Sequence, residues 1–367
     1  MRDFKLFTSG FFFIAVLSLA GLLCFNYSLD PNNRYQFHVS ESNLRLLAEV
    51  PGHVLVVPGN YDDRVLLKKF IRVVPRPVTV IMGGSRIMNL QNPPGFSVPR
   101  VNFLNAGVTA GTIKDYIAIW QVMKQNKKLP RTLFLCVDPQ VLNRVEQNDR
   151  WLSLSDDYQA FFKTSASGRY YVAALTSQLK DLLSLQTTRA AISRVGKKRV
   201  RPELLFSKDH TGLVPVRTAS FALFYPSAYE EKDPSDVETL ARANGEGETK
   251  AFRNWNRQDR EYLGQFKMLI EDVKKTGVQV VLVLMPYHPL SLQTIKQDAA
   301  ASGNLAFFRE QLLKISRECA VAYYDGFVDT EKGLFSSLDF SDGVHLKKDP
   351  NQAFFDRVSQ SLRFPPS

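Results

Sequence analysis

The chain has 367 residues, 44% of them hydrophobic, and its 47 Lys and Arg against 36 Asp and Glu leave a net charge of +11. So much apolar mass excludes a disordered tail or a collagen-like polymer, and three cysteines over this length exclude a disulfide-built scaffold. No CxxC, HExxH, GxxxxGK(S/T) or GxSxG spacing occurs and the five histidines lie far apart, so zinc proteases, P-loop nucleotide hydrolases and ordinary α/β-hydrolases have no motif behind them, and neither a metal nor a cofactor is implied.

Residues 6–25 carry no charge and are mostly apolar, with Arg2 and Lys5 ahead of them. At about 1.5 Å per residue a helix of this length matches the hydrocarbon core of a bilayer. The basic flank orients the short tail inside and the bulk outside. The competing reading is a cleaved signal peptide, with Ser18 and Ala20 as the small residues before the cut. Bulky Leu23 before Cys24 speaks against a lipoprotein. The expected organisation is an anchor or signal segment over 1–28 and an exported body over 29–367, periplasmic or extracellular. For such a body the positive charge points to anionic headgroups or envelope polymers rather than nucleic acid. The densest run is Arg189, Arg194, Lys197, Lys198, Arg199 and Arg201, with no acid between them. It reads either as a solvated helix end or as a landing strip for membrane or polymer.

After a polar linker over 30–42, short apolar runs alternate with helical periodicity. The runs are 78–82, 101–104, 133–137, 278–285 and 320–324, each stopped by Gly, Pro or Asp-Gly. Such runs predict strands buried on both faces of a parallel sheet. Thr112 and Asp115 predict a capping box ahead of Ile113, Tyr116, Ile117 and Trp120. Tyr262, Phe266, Leu269, Ile270 and Val273 predict a second helix closed by Gly277. The expected fold class is α/β: a three-layer α/β/α sandwich on a five-stranded parallel sheet in the order 2-1-3-4-5. Residues 139 to 278 are far more than a crossover needs, which predicts a partly helical cap inserted at about 144–258. Its polar, Gly-containing stretch 230–248 is expected to be a mobile loop. In that strand order the fourth strand separates Cys136 from Cys319 by about 9–10 Å. That is beyond disulfide reach, so free thiols are expected.

Ligands of open α/β sheets bind outside the carboxyl ends of the strands. Gly83-Gly84-Ser85-Arg86 follows the first core strand and Asn105-Ala106-Gly107 the second; Asp342 precedes His345 by three residues near the end of the chain. A nucleophilic serine needs a base, and the base a partner fixing its tautomer, while N–H groups at glycine turns can stabilise an oxyanion. Each piece also has a plainer reading: a tight turn at Gly-Gly-Ser, and Asp342 as the N-cap of the final helix. Arg86 is a candidate partner for a substrate carboxylate or phosphate, or for a sheet-edge acid. Tyr287 and His288 follow the fourth strand and are candidates for substrate contact, or His288 for a bond to backbone.

This set of blocks resembles the SGNH (GDSL-type) hydrolase superfamily. More narrowly, it resembles the membrane-anchored envelope branch that includes alginate-type O-acetyltransferases and the teichoic-acid D-alanylation protein. The blocks are IMGGSRIM (81–88), NAGVTAGT (105–112), LCVDPQVLN (135–143), MPYHP (285–289) and DFSDGVHL (339–346); the cap is largely unmatched. The resemblance implies Ser85 as nucleophile, His345 as base, Asp342 as its orienter and Gly107 as an oxyanion donor. Two departures stand out. The superfamily's third block carries an asparagine that completes the oxyanion hole, where this chain has Val137-Asp138-Pro139, so Asn143 or Asn105 must substitute or activity is poor. A lost donor costs roughly a hundred- to a thousand-fold in rate. Gly84 stands where Asp or Ser is usual. The implied function is an extracytoplasmic acyltransferase or esterase on an acyl, most simply acetyl, ester of an envelope or secreted polysaccharide. Transfer and hydrolysis differ only in the second acceptor, and for transfer an acyl-donor membrane protein is a further partner. The rival readings are a non-catalytic polymer-binding or assembly scaffold that keeps the fold, and a conventional esterase or lipase.

Overall fold

The computed structural model describes residues 2–33, 35, 38–58, 61–91, 102–143, 148–163, 168–196, 202–207, 214–226, 229, 231–257 and 260–362. The amino-terminal half contains helices α1 (Arg2–Leu29) and α2 (Glu41–Glu49), strand β1 (His53–Val56), α3 (Asp63–Val73), β2 (Thr79–Gly83), β3 (Phe103–Gly107), α4 (Ile113–Gln125) and β4 (Thr132–Val137). Then follow α5 (Ser155–Phe161), α6 (Gly168–Leu182), α7 (Leu185–Arg194), β5 (Glu203–Phe206), β6 (Val216–Arg217), β7 (Leu223–Phe224), α8 (Pro234–Arg253) and α9 (Glu261–Lys275). The chain closes with β8 (Gln279–Leu284), α10 (Pro289–Gln297), α11 (Ala299–Cys319), β9 (Ala322–Asp325), α12 (Gly326–Glu331) and α13 (Lys348–Ser361).

The architecture is α/β. Five strands form one all-parallel sheet in the spatial order β3-β2-β4-β8-β9, with β2 beside both β3 and β4. The continuous apolar runs follow from burial on both faces, since successive side chains point to opposite sides. Val80, Met82, Leu133 and Leu135 join the cluster that contains Trp120 of α4 and Phe266 and Ile270 of α9. Ile81, Phe134, Cys136 and Val283 face the other way, among Phe354, Phe355 and Val358 of α13. α4 begins with the capping box of Thr112 and Asp115, and Gly277 takes a positive φ of 80° after α9. All three cysteines are free thiols, with Cys136 and Cys319 buried.

Two features differ from the sequence expectations. A second, antiparallel sheet runs β5-β1-β6-β7, with Val54 opposite Leu205 and Val56 opposite Val216, so the segment between β4 and β8 is stitched to the amino-terminal part of the body. The stretch 230–248 is not a loop: most of it lies in α8. Asp233 caps the helix through the Ser235 N–H, Pro234 occupies its first turn, and Val237, Ala241, Gly245, Thr249 and Phe252 are buried along one side. Proline with fixed φ is pre-organised for that position, and a stripe of small residues packs closely without looking hydrophobic. Of the basic run, Arg189 and Arg194 lie on α7; Lys197, Lys198, Arg199 and Arg201 are outside the described residues. Among the described residues one helix, over Thr8–Leu29, is long and apolar enough to cross a membrane, with a mean hydropathy of 2.1.

Candidate active site

β2 delivers the chain to the carboxyl edge of the sheet, where Gly84 leads into a 3-10 turn over Ser85–Ile87. A Cβ at Gly84 would sit 3.1 Å from the Asp138 carboxylate at the end of β4, so a larger residue there would require that carboxylate to shift by a few tenths of an ångström. Three buried asparagines hold the turn. Asn105 on β3 donates from Nδ2 to the carbonyls of Ile87 (2.6 Å) and Leu90 (2.9 Å) and accepts the Gly107 N–H at Oδ1 (2.9 Å). Asn351 on α13 donates to the Arg86 carbonyl (3.0 Å) and to Asn89 Oδ1 (2.6 Å). Asn89 in turn donates to the Leu346 carbonyl at 2.8 Å, which ties the serine turn to the loop that carries the histidine.

That loop closes on itself through the Phe340–Leu346 bridge and a Ser341 N–H to His345 carbonyl bond of 2.9 Å. Gly343 is the residue the bend requires: its φ is +78°, and a Cβ there would lie 2.5 Å from Ala241 Cα of α8. Asp342 Oδ1 accepts the N–H groups of Val344 (3.1 Å) and His345 (2.9 Å). The same carboxylate lies 2.9 Å from His345 Nδ1, and His345 Nε2 lies 2.8 Å from Ser85 Oγ. With Nδ1–H donated to the carboxylate, Nε2 is the acceptor for the Ser85 hydroxyl proton. The Tyr229 hydroxyl donates to Asp342 Oδ2, and Asn244 Nδ2 of α8 donates to the Asp342 carbonyl at 3.1 Å. Burial alone would raise the Asp342 carboxyl, but the bonds from His345 and Tyr229 outweigh it and hold it well below the usual carboxylate range. Asp342 is not a helix cap, since α13 begins only at Lys348.

The other expected site residues divide. Arg86 takes the sheet-edge partner: its guanidinium is buried, with Nε 3.4 Å from Asp138 Oδ1 and Cζ 4.0 Å from the centre of the Tyr287 ring. Tyr287 is buried and donates its hydroxyl to Glu248 Oε2 at 2.9 Å, so neither residue presents its polar end outward. Burial pushes the Asp138 carboxyl up from its ordinary value, against the opposing pull of Arg86 and His345. His288 is buried as well: Nδ1 accepts the Leu290 N–H at 3.1 Å, capping α10, and burial lowers its pKa to about 4. Its Nδ1 therefore serves the backbone at the start of α10, one of the two alternatives that the sequence offers for it. Asn143 donates to the Ala251 carbonyl of α8 at 3.2 Å. This bond braces the carboxyl half of α8 and does not place Asn143 beside Ser85. Asn105 and Gly107 do flank the serine turn, but their donors serve the turn itself, through the bonds given above.

Sequence reasoning missed Asn89, Asn351, Asn244 and Tyr229. No local signal marks them, because each acts on a residue far away in the chain: Asn351 on Asn89, Tyr229 on Asp342. Among the described residues no group of three or more His, Cys, Asp and Glu side chains could hold a metal ion. No protein-family model matches the chain, and no curated protein matches it either.

Proposed function

We propose that the protein is a membrane-anchored serine acyltransferase or esterase of SGNH type, acting outside the cytoplasm on an acyl ester of an envelope or secreted polysaccharide. One observation carries this reading: the unbroken chain Ser85 Oγ, His345 Nε2, His345 Nδ1, Asp342 carboxylate, with links of 2.8 and 2.9 Å. In the proposed reaction His345 accepts the Ser85 proton as Oγ attacks the ester carbonyl, and the Asp342 carboxylate stabilises the imidazolium that forms. His345 then returns the proton to the departing alkoxide, leaving an acyl group on Ser85. A sugar hydroxyl or water, deprotonated by the same imidazole, releases it. The Ser85 and Arg86 N–H groups open the turn, where a helical start leaves its first N–H groups without acceptors in the helix, and they are the donors assigned to the oxyanion. The segment over about 144–258 serves as the cap of the proposed fold, its Tyr229 and Asn244 bearing on Asp342.

A second reading, a non-catalytic polymer-binding or assembly scaffold with the same fold, is favoured by one specific observation. Asp138, a carboxylate, stands at the edge where an asparagine donor is expected, and Asn105 and Gly107 are engaged elsewhere. Incubation with p-nitrophenyl acetate, with and without an oligosaccharide acceptor, separates the readings. Acceptor-dependent acetylation supports transfer, release of nitrophenol alone supports an esterase, and neither supports the scaffold. In either active case Ser85→Ala is expected to lower turnover by at least about a thousand-fold; unchanged turnover removes Ser85 from the chemistry.

A further inference from the structure

α6 and α7, joined by Leu183 and Ser184, make a two-helix hairpin that carries an exposed apolar stripe on α6 and, on α7, exposed Leu185 and Ile192 among polar Gln186, Arg189 and Ser193. Tyr171, Val172, Leu175 and Leu179 are all exposed on α6, the tyrosine by 74%, and Leu185 and Ile192 continue the surface on α7. At about 100° per residue the α6 positions fall within one arc of roughly 100°. The opposite side of α6, at Tyr170, Ala173 and Ala174, packs on the main core, so the stripe faces away from the body. An apolar patch of this extent marks a surface that something covers.

The hairpin is fastened to the carboxyl end of α1. Asn26, fully buried in the last turns of α1, donates to the Leu182 carbonyl (2.6 Å) and to Thr188 Oγ1 (2.9 Å), both at the α6–α7 junction. Arg194 Nη1 reaches the Asp30 carbonyl (3.3 Å) and Asn33 Oδ1 (3.1 Å) just beyond α1. The apolar span Thr8–Leu29 is about as long as a hydrocarbon core is thick, so a junction bonded to Asn26 lies at the depth where acyl chains meet headgroups. A helix face at that depth is solvated by lipid, and an interfacial helix buries its apolar face about 5–10 Å into that boundary. α7 carries Arg189 and Arg194 and no acid, the charge that suits anionic headgroups.

We propose that the exposed face of α6 and α7 lies in the outer interface of the bilayer crossed by α1, as a second membrane contact that fixes the height and tilt of the body. The proposal rests on the reading of α1 as a membrane anchor, and its test separates the two. The full chain is placed in vesicles of phosphatidylcholine and phosphatidylglycerol and spin-labelled at one site at a time. The sites are native Cys24 on α1, and Leu175→Cys, Ile192→Cys and the control Leu338→Cys, each in a Cys24→Ser background. Leu338 is an exposed leucine outside the hairpin, and Cys136 and Cys319 are buried. The expected result is a ratio of oxygen to nickel-chelate collisions several-fold higher at Leu175 and Ile192 than at Leu338, approaching that at Cys24. A lipid-like ratio at Cys24 with an aqueous ratio at both hairpin sites overturns the proposal and leaves the anchor standing. An aqueous ratio at Cys24 overturns the anchor and the proposal with it. Protection of both hairpin sites from both reagents means that protein, not lipid, covers the face, and also overturns the proposal.

Discussion

Asp342 has two roles at once: one oxygen shapes the loop by accepting the Val344 and His345 N–H groups, and the carboxylate as a whole receives the imidazole and the Tyr229 hydroxyl. These bonds favour the ionised form over the protonated one, so its pKa is depressed in the folded protein relative to the ordinary carboxyl value near 3.9. The folded state therefore binds fewer protons here than the unfolded state as the pH falls. The stabilisation is fully present above about pH 4 and is lost as pH drops through the folded-state pKa. In urea unfolding followed from pH 7 to pH 3, Asp342→Asn is expected to be less stable than the native chain at neutral pH, with the difference narrowing below pH 4. A difference that stays constant across that range would mean the carboxylate charge contributes nothing. Ser85, Asp342 and His345 were legible in the sequence because each sits in a short run with its own turn chemistry. Tyr229 and Asn351 were not, because a tyrosine hydroxyl or an amide that acts across more than a hundred residues leaves no mark in its neighbours.

The same contrast appears in the elements. The strands of the parallel sheet are visible as uninterrupted apolar runs, since both faces are covered. α8 is hidden because its buried side is built from small residues, Ala241, Gly245 and Thr249 among them, which let it lie close against α10 and the Asp342 loop. β1 pairs with β5 at His53 opposite Phe206, a partnership with no local signature. The packing of α8 gives a matched test. A Cβ at Gly245 would lie 2.9 Å from Thr294 Cβ and 3.0 Å from Ser291 Cα, whereas one at Gly247 would meet nothing within 4 Å. Gly245→Ala should push α8 off α10 and destabilise by about 1–3 kcal/mol, the usual cost of overpacking. Gly247→Ala should leave stability unchanged or raise it by up to about 1 kcal/mol through helix propensity. Unfolding midpoints of the two variants decide it. Equal shifts would show that α8 does not pack as closely as Gly245 implies.

At the scale of the whole molecule, the site is assembled from three distant parts of the chain: the end of β2, the loop before α13, and the segment between β4 and β8 that supplies Tyr229 and Asn244. That segment divides its work, its α8 half bearing on Asp342 and its α6–α7 half bonded to the end of α1. Part of the basic run, at Arg194, is thereby tied to the foot of α1 rather than to the groups around Ser85. The net charge of +11 still favours approach of a polyanion to the body. Exposed charges are screened beyond about 8 Å at physiological ionic strength, so binding to an anionic polysaccharide, measured by co-sedimentation, should weaken steadily with added salt. If the charge acts locally, replacing Lys197, Lys198, Arg199 and Arg201 with glutamine should weaken binding more than replacing Lys267, Lys314, Lys332 and Lys347. Equal losses would make the run a solvated face and the attraction a property of the total charge. Neither outcome bears on Ser85 and His345, whose 2.8 Å contact involves none of these side chains.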